Sequence, residues 1–197
     1  MAKPGTAVAA PKAFEDAVAL LERGRDAAAV APAREAKGLA PRSGAVREVL
    51  GLALYRAGRF ADALGELQAY RRITGRIDHN HLIADCYRAT GAPDKAIPLA
   101  QEALRARIPE DARAEAAIVG ASALADMGRT EAALSMLRAF PARPNVGRPS
   151  DLRIWYVTGD VLARAGRTAE AIQEFRRILR HDPDAFDTAE RLASLGS

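Results

Sequence analysis

Apolar residues along this chain recur at helical spacing, and no stretch shows the strict alternation of a half-buried strand. The runs come in pairs. In LLERGRDAAAVAP, LYRAGRFADALGEL, CYRATGAPDKAIPLA, LADMGRTEAALSML and LARAGRTAEAIQEF, a first run ends at a Gly, a few polar residues follow, and a second, Ala-containing run begins. The shared glycines are Gly24, Gly58, Gly91, Gly128 and Gly166, spaced by 34, 33, 37 and 38 residues. With the register set by these glycines, other positions test it independently. Seven residues before each stands a small residue (Ala17, Gly51, Ala84, Ala121, Gly159), and four before stands a large one (Leu20, Leu54, Tyr87, Leu124, Leu162). Five after each stands Ala (Ala29, Ala63, Ala96, Ala133, Ala171), and nine after stand Ala33, Leu67, Ala100, Leu137 and Phe175. A unit that recurs at this period is a supersecondary element that buries its apolar face only by stacking on its neighbours.

The pattern predicts five antiparallel helical hairpins. Each Gly ends a first helix, where the next residue often takes a left-handed conformation. The small residues at minus seven and plus five let the two helices approach closely. Thr130 and Thr168 are expected N-caps of second helices, Pro93 suits a first helical position, and Asp94, Glu131 and Glu170 favour the positive dipole end. Pro141, Pro144, Gly147 and Pro149 predict a loop from Phe140 to Asp151, with Ser150 or Asp151 capping the next helix, and Pro32 and Pro98 are expected to kink second helices. The expected organisation is a disordered tail over 1–9 and repeats over about 10–43, 44–76, 77–110, 114–146 and 152–183. A capping helix over 184–195 follows, covering the last hairpin with Phe186, Ala189 and Leu192.

The repeat resembles the tetratricopeptide repeat family, whose 34-residue unit carries Trp, Leu-Gly, Tyr, Ala, Phe and Pro at fixed offsets. Trp155, Gly159, Gly166, Ala171, Phe175 and Pro183 match it best, whereas Arg47 and Asn80 stand where the family prefers Trp. The resemblance implies an all-α, right-handed α-solenoid of about five hairpins whose concave face, lined by first helices, holds a peptide or a partner protein. Matching positions give the candidate groove residues: Glu48, Leu52, Tyr55 and Arg56, then His81, Asp85 and Arg88, then Ser122 and Asp126, then Tyr156, Asp160 and Arg164. The family's variant that clamps a C-terminal carboxylate uses a Lys and two Asn. Phe14, Val18, Leu52, Glu48, His81 and Asp85 occupy the corresponding positions, so that clamp is missing.

Composition narrows the function. The chain has 197 residues, of which 49% are hydrophobic and 27% charged, a folded balance, and its 45 Ala favour helix. One Cys, Cys86, excludes a disulfide framework and fits a reducing, cytoplasmic location. No stretch reads as a secretory leader or as a membrane-spanning helix. The Ala and Arg richness hints at a bacterial source. With few His and Cys, and neither a phosphate loop nor a nucleophile elbow, a non-enzymatic protein without cofactor or metal is expected. His79, His81 and Asp85 are the one ligand-like group, and a metal would need a further ligand. The net charge of +4 comes with clusters at Arg71, Arg72 and Arg76, at Arg105 and Arg107, and at Arg176, Arg177, Arg180 and His181, with Arg25, Arg59, Arg129 and Arg167 on the opposite edge. Interspersed acids disfavour nucleic acid, which stands as the alternative partner using the arginine edges. The leading expectation is a scaffold that binds another protein, or its own copy, in the groove.

Overall fold

The computed structural model describes residues 6–143 and 146–196. Residues 1–5 of the expected tail, and Pro144 of the expected loop, lie outside them. Eleven α-helices and no strand form among the described residues. In chain order they are α1 (Thr6–Glu22), α2 (Asp26–Leu39), α3 (Gly44–Arg56), α4 (Phe60–Thr74), α5 (Asn80–Ala89), α6 (Pro93–Arg105), α7 (Glu110–Asp126), α8 (Thr130–Arg138), α9 (Pro149–Arg164), α10 (Thr168–His181) and α11 (Thr188–Leu195). Odd-numbered helices through α9 are the predicted first helices and even-numbered ones the second, so the described residues are all-α, with packed hairpins at Gly24, Gly58, Gly128 and Gly166.

These five glycines all have φ between +67° and +80°. That conformation costs a side-chain-bearing residue about 1–2 kcal/mol. It brings the N–H of the following Arg back to the carbonyl of the large residue four before the Gly: Arg25 to Leu20, Arg59 to Leu54, Arg129 to Leu124 and Arg167 to Leu162, at 2.8–2.9 Å. This closes the helix end in a Schellman arrangement. It also places Arg129 and Arg167, not Thr130 and Thr168, at the N-cap, with the threonines already the first helical residues and no side-chain cap present. Pro93 opens α6 as expected, and Pro32 and Pro98 lie inside α2 and α6.

The chain divides into two compact units, Met1–Gly91 and Ala92–Ser197. In the first, α1 to α5 pack in sequence, with α1 also meeting α3; in the second, α6 to α11 do the same, with α7 also meeting α9. The hairpin seams are very tight. Ala17, Ala29, Ala63, Ala121, Ala133 and Ala171 are all fully buried. A Cβ on Gly51 would stand 2.7 Å from Leu67 Cδ2, and one on Gly159 would stand 2.8 Å from Phe175 Cε1. The residue facing each Gly is therefore the large one nine after the marker, and a missing Cβ on one helix makes room for a bulky side chain on the other. The second unit's core runs from Ala100 to Ala185 and is filled by Leu124, Leu137, Trp155, Leu162, Phe175 and Ile178.

Both chain ends depart from the sequence expectation. Residues 6–9, assigned to the tail, are helical, because the Ala-rich stretch preceding Pro11 extends α1 to Thr6. The helix that covers the last hairpin begins at Thr188, not at residue 184. Asp182 accepts the N–H of Asp184 at 3.1 Å and Phe186 takes a left-handed φ of 56°, so a turn fills the interval. That shift moves the covering face: Ala185, Thr188, Leu192 and Leu195 meet the core, whereas Phe186 is 53% exposed and Ala189 faces solvent. The loop before α9 also differs, since Pro149 is the first residue of that helix, the position where proline costs no hydrogen bond. Asp151 sits three residues in, fully buried, accepting the backbone N–H groups of Arg143 (3.1 Å) and Arg148 (3.2 Å) and the guanidinium of Arg148. Burial pushes its carboxyl pKa up, but these donors outweigh it and hold it below the usual carboxylate value.

Candidate partner-binding surface

In the first unit, α3 and α5 bring most of the predicted groove residues together. Tyr55 donates its hydroxyl to Asp85 Oδ2 at 2.8 Å, and Arg88 donates Nε to Asp85 Oδ1 at 3.1 Å. Both carboxylate oxygens are thus engaged, with the Asp85 side chain only 15% exposed. Glu48 meets His79 Nε2 at 2.7 Å, nearer the start of the same pair of helices. Leu52 lies half-buried between these two polar contacts. Arg56 is half exposed and reaches Asp26 on α2 at 3.8 Å.

His81 behaves differently from the expectation of a groove ligand beside Asp85. Its Nδ1 is buried and forms no well-aligned hydrogen bond. Burial, reinforced by the neighbouring His79 ring 6.3 Å away, outweighs the pull of the Asp78 backbone and depresses its pKa to about 4, so the imidazole is neutral at neutral pH. Asp85 points instead to Tyr55 and Arg88. Among the described residues no three His, Cys, Asp or Glu side chains are gathered as metal ligands would be. Cys86 is buried, and desolvation raises its thiol to about 12, which leaves it protonated and unreactive.

The second unit repeats the theme one hairpin apart. Asp126 on α7 pairs with Arg164 on α9 at 3.2 Å, and Ser122 lies half-buried one turn before it. Tyr156 on α9 donates to Asp187 at 2.5 Å and packs on Phe186 with ring centres 5.1 Å apart; Asp160 pairs with Arg191 on α11. Burial comes first and the Asp187 hydrogen bond second in raising the Tyr156 phenol to about 12. The α11 helix thus meets α9 as one first helix meets the next, which the sequence reading missed because it placed Phe186 rather than Arg191 on the inner side.

Several arginines of the predicted edges carry their own counter-charges. Arg59 pairs with Asp62, Arg76 with Asp78, and Arg167 with both Glu131 and Glu170 at 2.6 Å. Arg177 lies over the Trp155 ring, 3.9 Å from its centre. Such pairing lowers the positive charge that these four arginines offer to a phosphate backbone. Arg47 stands where a Trp was expected from the resemblance. It spans from α3 to Glu66 on α4 at 2.6 Å and to the Pro41 carbonyl, a polar replacement for an aromatic contact.

Residues 119–186 match the sequence profile described as tetratricopeptide repeat. In fold the chain is similar to YrrB, a tetratricopeptide-repeat protein with an unusual peptide-binding site, at TM-score 0.65 and 18% identity, over 91% of this chain and 89% of that one. It is similar as well to TTC0263 of Thermus thermophilus, a thermophilic tetratricopeptide-repeat protein (TM-score 0.68, 18% identity, 94% and 98% covered). A third likeness is to Pseudomonas aeruginosa pilF (TM-score 0.58, 15% identity, 98% and 90% covered). No curated protein matches the chain in sequence.

Proposed function

This chain is a tetratricopeptide-repeat protein, and we propose that it is a non-catalytic scaffold that holds a peptide or extended segment of another protein against the α3–α5 face of its first unit. The observation that carries this reading is the Tyr55–Asp85–Arg88 array, which is fixed by hydrogen bonds between two helices before any partner arrives. A surface whose polar groups are already ordered loses little side-chain entropy on binding. Asp85 accepts one hydrogen bond at each oxygen and retains acceptor capacity at both, so it can take a backbone N–H or a basic side chain as a further donor. Arg56, half exposed next to Tyr55 in the chain and within 3.8 Å of Asp26, offers its remaining donors to a partner's carbonyls or carboxylates. Leu52, half-buried one turn earlier on α3, supplies apolar contact. The peptide-binding site of YrrB lends support by analogy of fold alone.

Affinity capture from native cell extract with wild-type protein, Asp85→Asn and Arg56→Glu, followed by mass spectrometry, tests this reading. The expected result is one or a few proteins retained by the wild type and depleted about tenfold or more on both variants, the loss of one charge-assisted contact being worth about 1.5–3 kcal/mol. Equal retention by all three proteins, with helicity intact by circular dichroism, refutes the assignment of this face.

A further inference from the structure

Consecutive second helices of a unit are separated by grooves on the side away from the first-helix face, and these grooves differ sharply in how their walls are charged. Between α2 and α4 the groove is about 560 Å³ and its walls oppose Arg34 and Lys37 to Asp62 and Glu66. Those walls satisfy each other, with Lys37 on Glu66 at 2.5 Å and Arg34 on Asp62 at 3.5 Å. Between α8 and α10 a groove of about 430 Å³ carries Glu174 and Arg177, which pair at 3.6 Å. Between α6 and α8 the groove is about 360 Å³ and no acidic residue lines it.

This third groove is mainly apolar along its length, with Gln101 and Ser135 as uncharged polar lining, and basic at its ends. Leu124 of α7 forms the floor, Ile97 and Leu104 of α6 form one wall, and Met136 of α8 forms the other. It is open because α8 and its C-terminal edge present Ala132, Ser135 and Ala139 there, small residues at helical spacing. Arg105 is the last residue of α6 and Arg129 immediately precedes α8. Both second helices run in the same direction, each antiparallel to α7, so the two arginines stand at opposite ends. Arg105 gives Nε to the Gln101 carbonyl at 3.1 Å, and among the described residues neither guanidinium meets a carboxylate. Ten residues separate Arg129 from Ala139, about 15 Å of helix at 1.5 Å per residue. That length suits about two to three turns of a docked helix, or about four to five extended residues.

We propose that this α6–α8 groove is a second docking surface, for a segment of a partner protein with apolar side chains bracketed by carboxylates. The apolar side chains fill the space over Leu124 and Met136, and each flanking carboxylate takes a guanidinium in the two-point geometry that Arg supplies. A basic segment meets repulsion at both ends and no acceptor carboxylate between them. The α2–α4 groove cannot compete for the same ligand, because its cations are already held by the opposite wall.

A random twelve-residue peptide display library panned on the full chain, with Ser135→Trp protein as the counter-selection, provides the test. Ser135 is exposed, so the indole fills the groove without entering the core. The most enriched peptide, fluorescently labelled, is then titrated by anisotropy against wild type, Ser135→Trp, Arg105→Glu/Arg129→Glu and Asp85→Asn, all checked for helicity. Enriched sequences should carry Leu, Ile, Met or Phe between Asp or Glu residues. Their binding should weaken at least tenfold in the first two variants and change less than twofold in Asp85→Asn. Absence of enrichment, enrichment of basic sequences, or binding indifferent to the double arginine variant overturns the proposal. So does the wild type binding phosphatidylserine vesicles through the same arginines while ignoring the peptides. Should Ser135→Trp lose helicity, the double arginine variant, altered only at exposed side chains, decides alone.

Discussion

Replacing Gly159 by Ala adds one methyl group and should destabilise the second unit, although the same change ordinarily strengthens a helix. The helix-propensity gain is about 1 kcal/mol. Against it, the new Cβ would stand 2.8 Å from Phe175 Cε1, 2.9 Å from Cζ and 3.2 Å from Cδ1, so ring or helix must give way by about half an ångström or more. The ring has nowhere to go: it is fully buried, edge-on to Tyr156 at 5.8 Å and beneath Arg191 at 5.9 Å. Overpacking of this kind costs about 1–3 kcal/mol, which makes the net effect a loss of up to about 2 kcal/mol. Gly65, in the interior of α4 with nothing within 4 Å of its added Cβ, supplies the control, and Gly65→Ala should stabilise by close to the full propensity term. Urea unfolding followed by circular dichroism reads both variants, and the fluorescence of Trp155, the one tryptophan and 3% exposed, reports the second unit by itself. In a Phe175→Leu background the Gly159→Ala penalty should fall by about 1 kcal/mol or more, since neighbours in contact are not additive. If Gly159→Ala stabilises as Gly65→Ala does, or if the two changes at 159 and 175 are additive, helix approach at this seam is not set by the missing Cβ.

Two further outcomes concern titration and the buried loop anchor. Asp151→Ala removes the acceptor for two backbone N–H groups and one of the two carboxylate partners of the Arg148 guanidinium, which keeps Glu110, and should cost on the order of 3 kcal/mol, read from the shift of the Trp155 unfolding curve. Because the Asp151 carboxyl is held below its unfolded value, its stabilisation is complete above about pH 4 and fades as pH falls further; in Asp151→Ala that acid limb should flatten. His81 is buried neutral with a pKa of about 4, so the unfolded chain binds its proton first, and stability should decline as pH falls from about 6.5 to 4 by on the order of 3 kcal/mol. In His81→Gln the slope over that window should lessen, and an imidazole proton resonance of His81 that titrates near 6.5 in the folded protein contradicts the burial argument.

The architecture was legible because it is written in backbone requirements that few residues can meet. A left-handed turn every 33 to 38 residues selects Gly, and two helices at close range select Ala or Gly. These demands leave the same mark wherever they recur, so five left-handed glycine turns could be counted without a structure. Helix ends were less legible. Thr130 and Thr168 look like caps by type, but the Gly-Arg turn sets the helix start one residue earlier and the backbone, not a hydroxyl, closes the end. Nor could spacing reveal that Phe186 would flip to positive φ and expose its ring while Ala185 and Thr188 take the inner positions. That outcome depends on Asp182 capturing a nearby N–H, a local competition that helical periodicity does not encode.

The first-helix face shows why residue type alone misjudged the chemistry of the surface. Asp85, Asp126 and Asp160 stand in the sequence as candidate groove residues, carboxylates available to a ligand. Yet each is bound within its own unit, to Tyr55, Arg164 and Arg191 at sequence separations of 30, 38 and 31 residues, close to one repeat in every case. The repeat period is what makes this unavoidable: side chains one period apart on successive first helices face each other, so an Asp on one and a Tyr or Arg on the next must meet before either meets a ligand. A partner therefore adds to these pairs or displaces them, and its net charge matters less than where its donors fall relative to the lone pairs left open. The same logic removes the clean separation of binding from folding at this surface. Tyr55→Phe and Tyr156→Phe each delete an internal hydrogen bond worth about 1 kcal/mol, so a binding loss at either position counts as evidence about the groove only after the stability loss has been measured and subtracted.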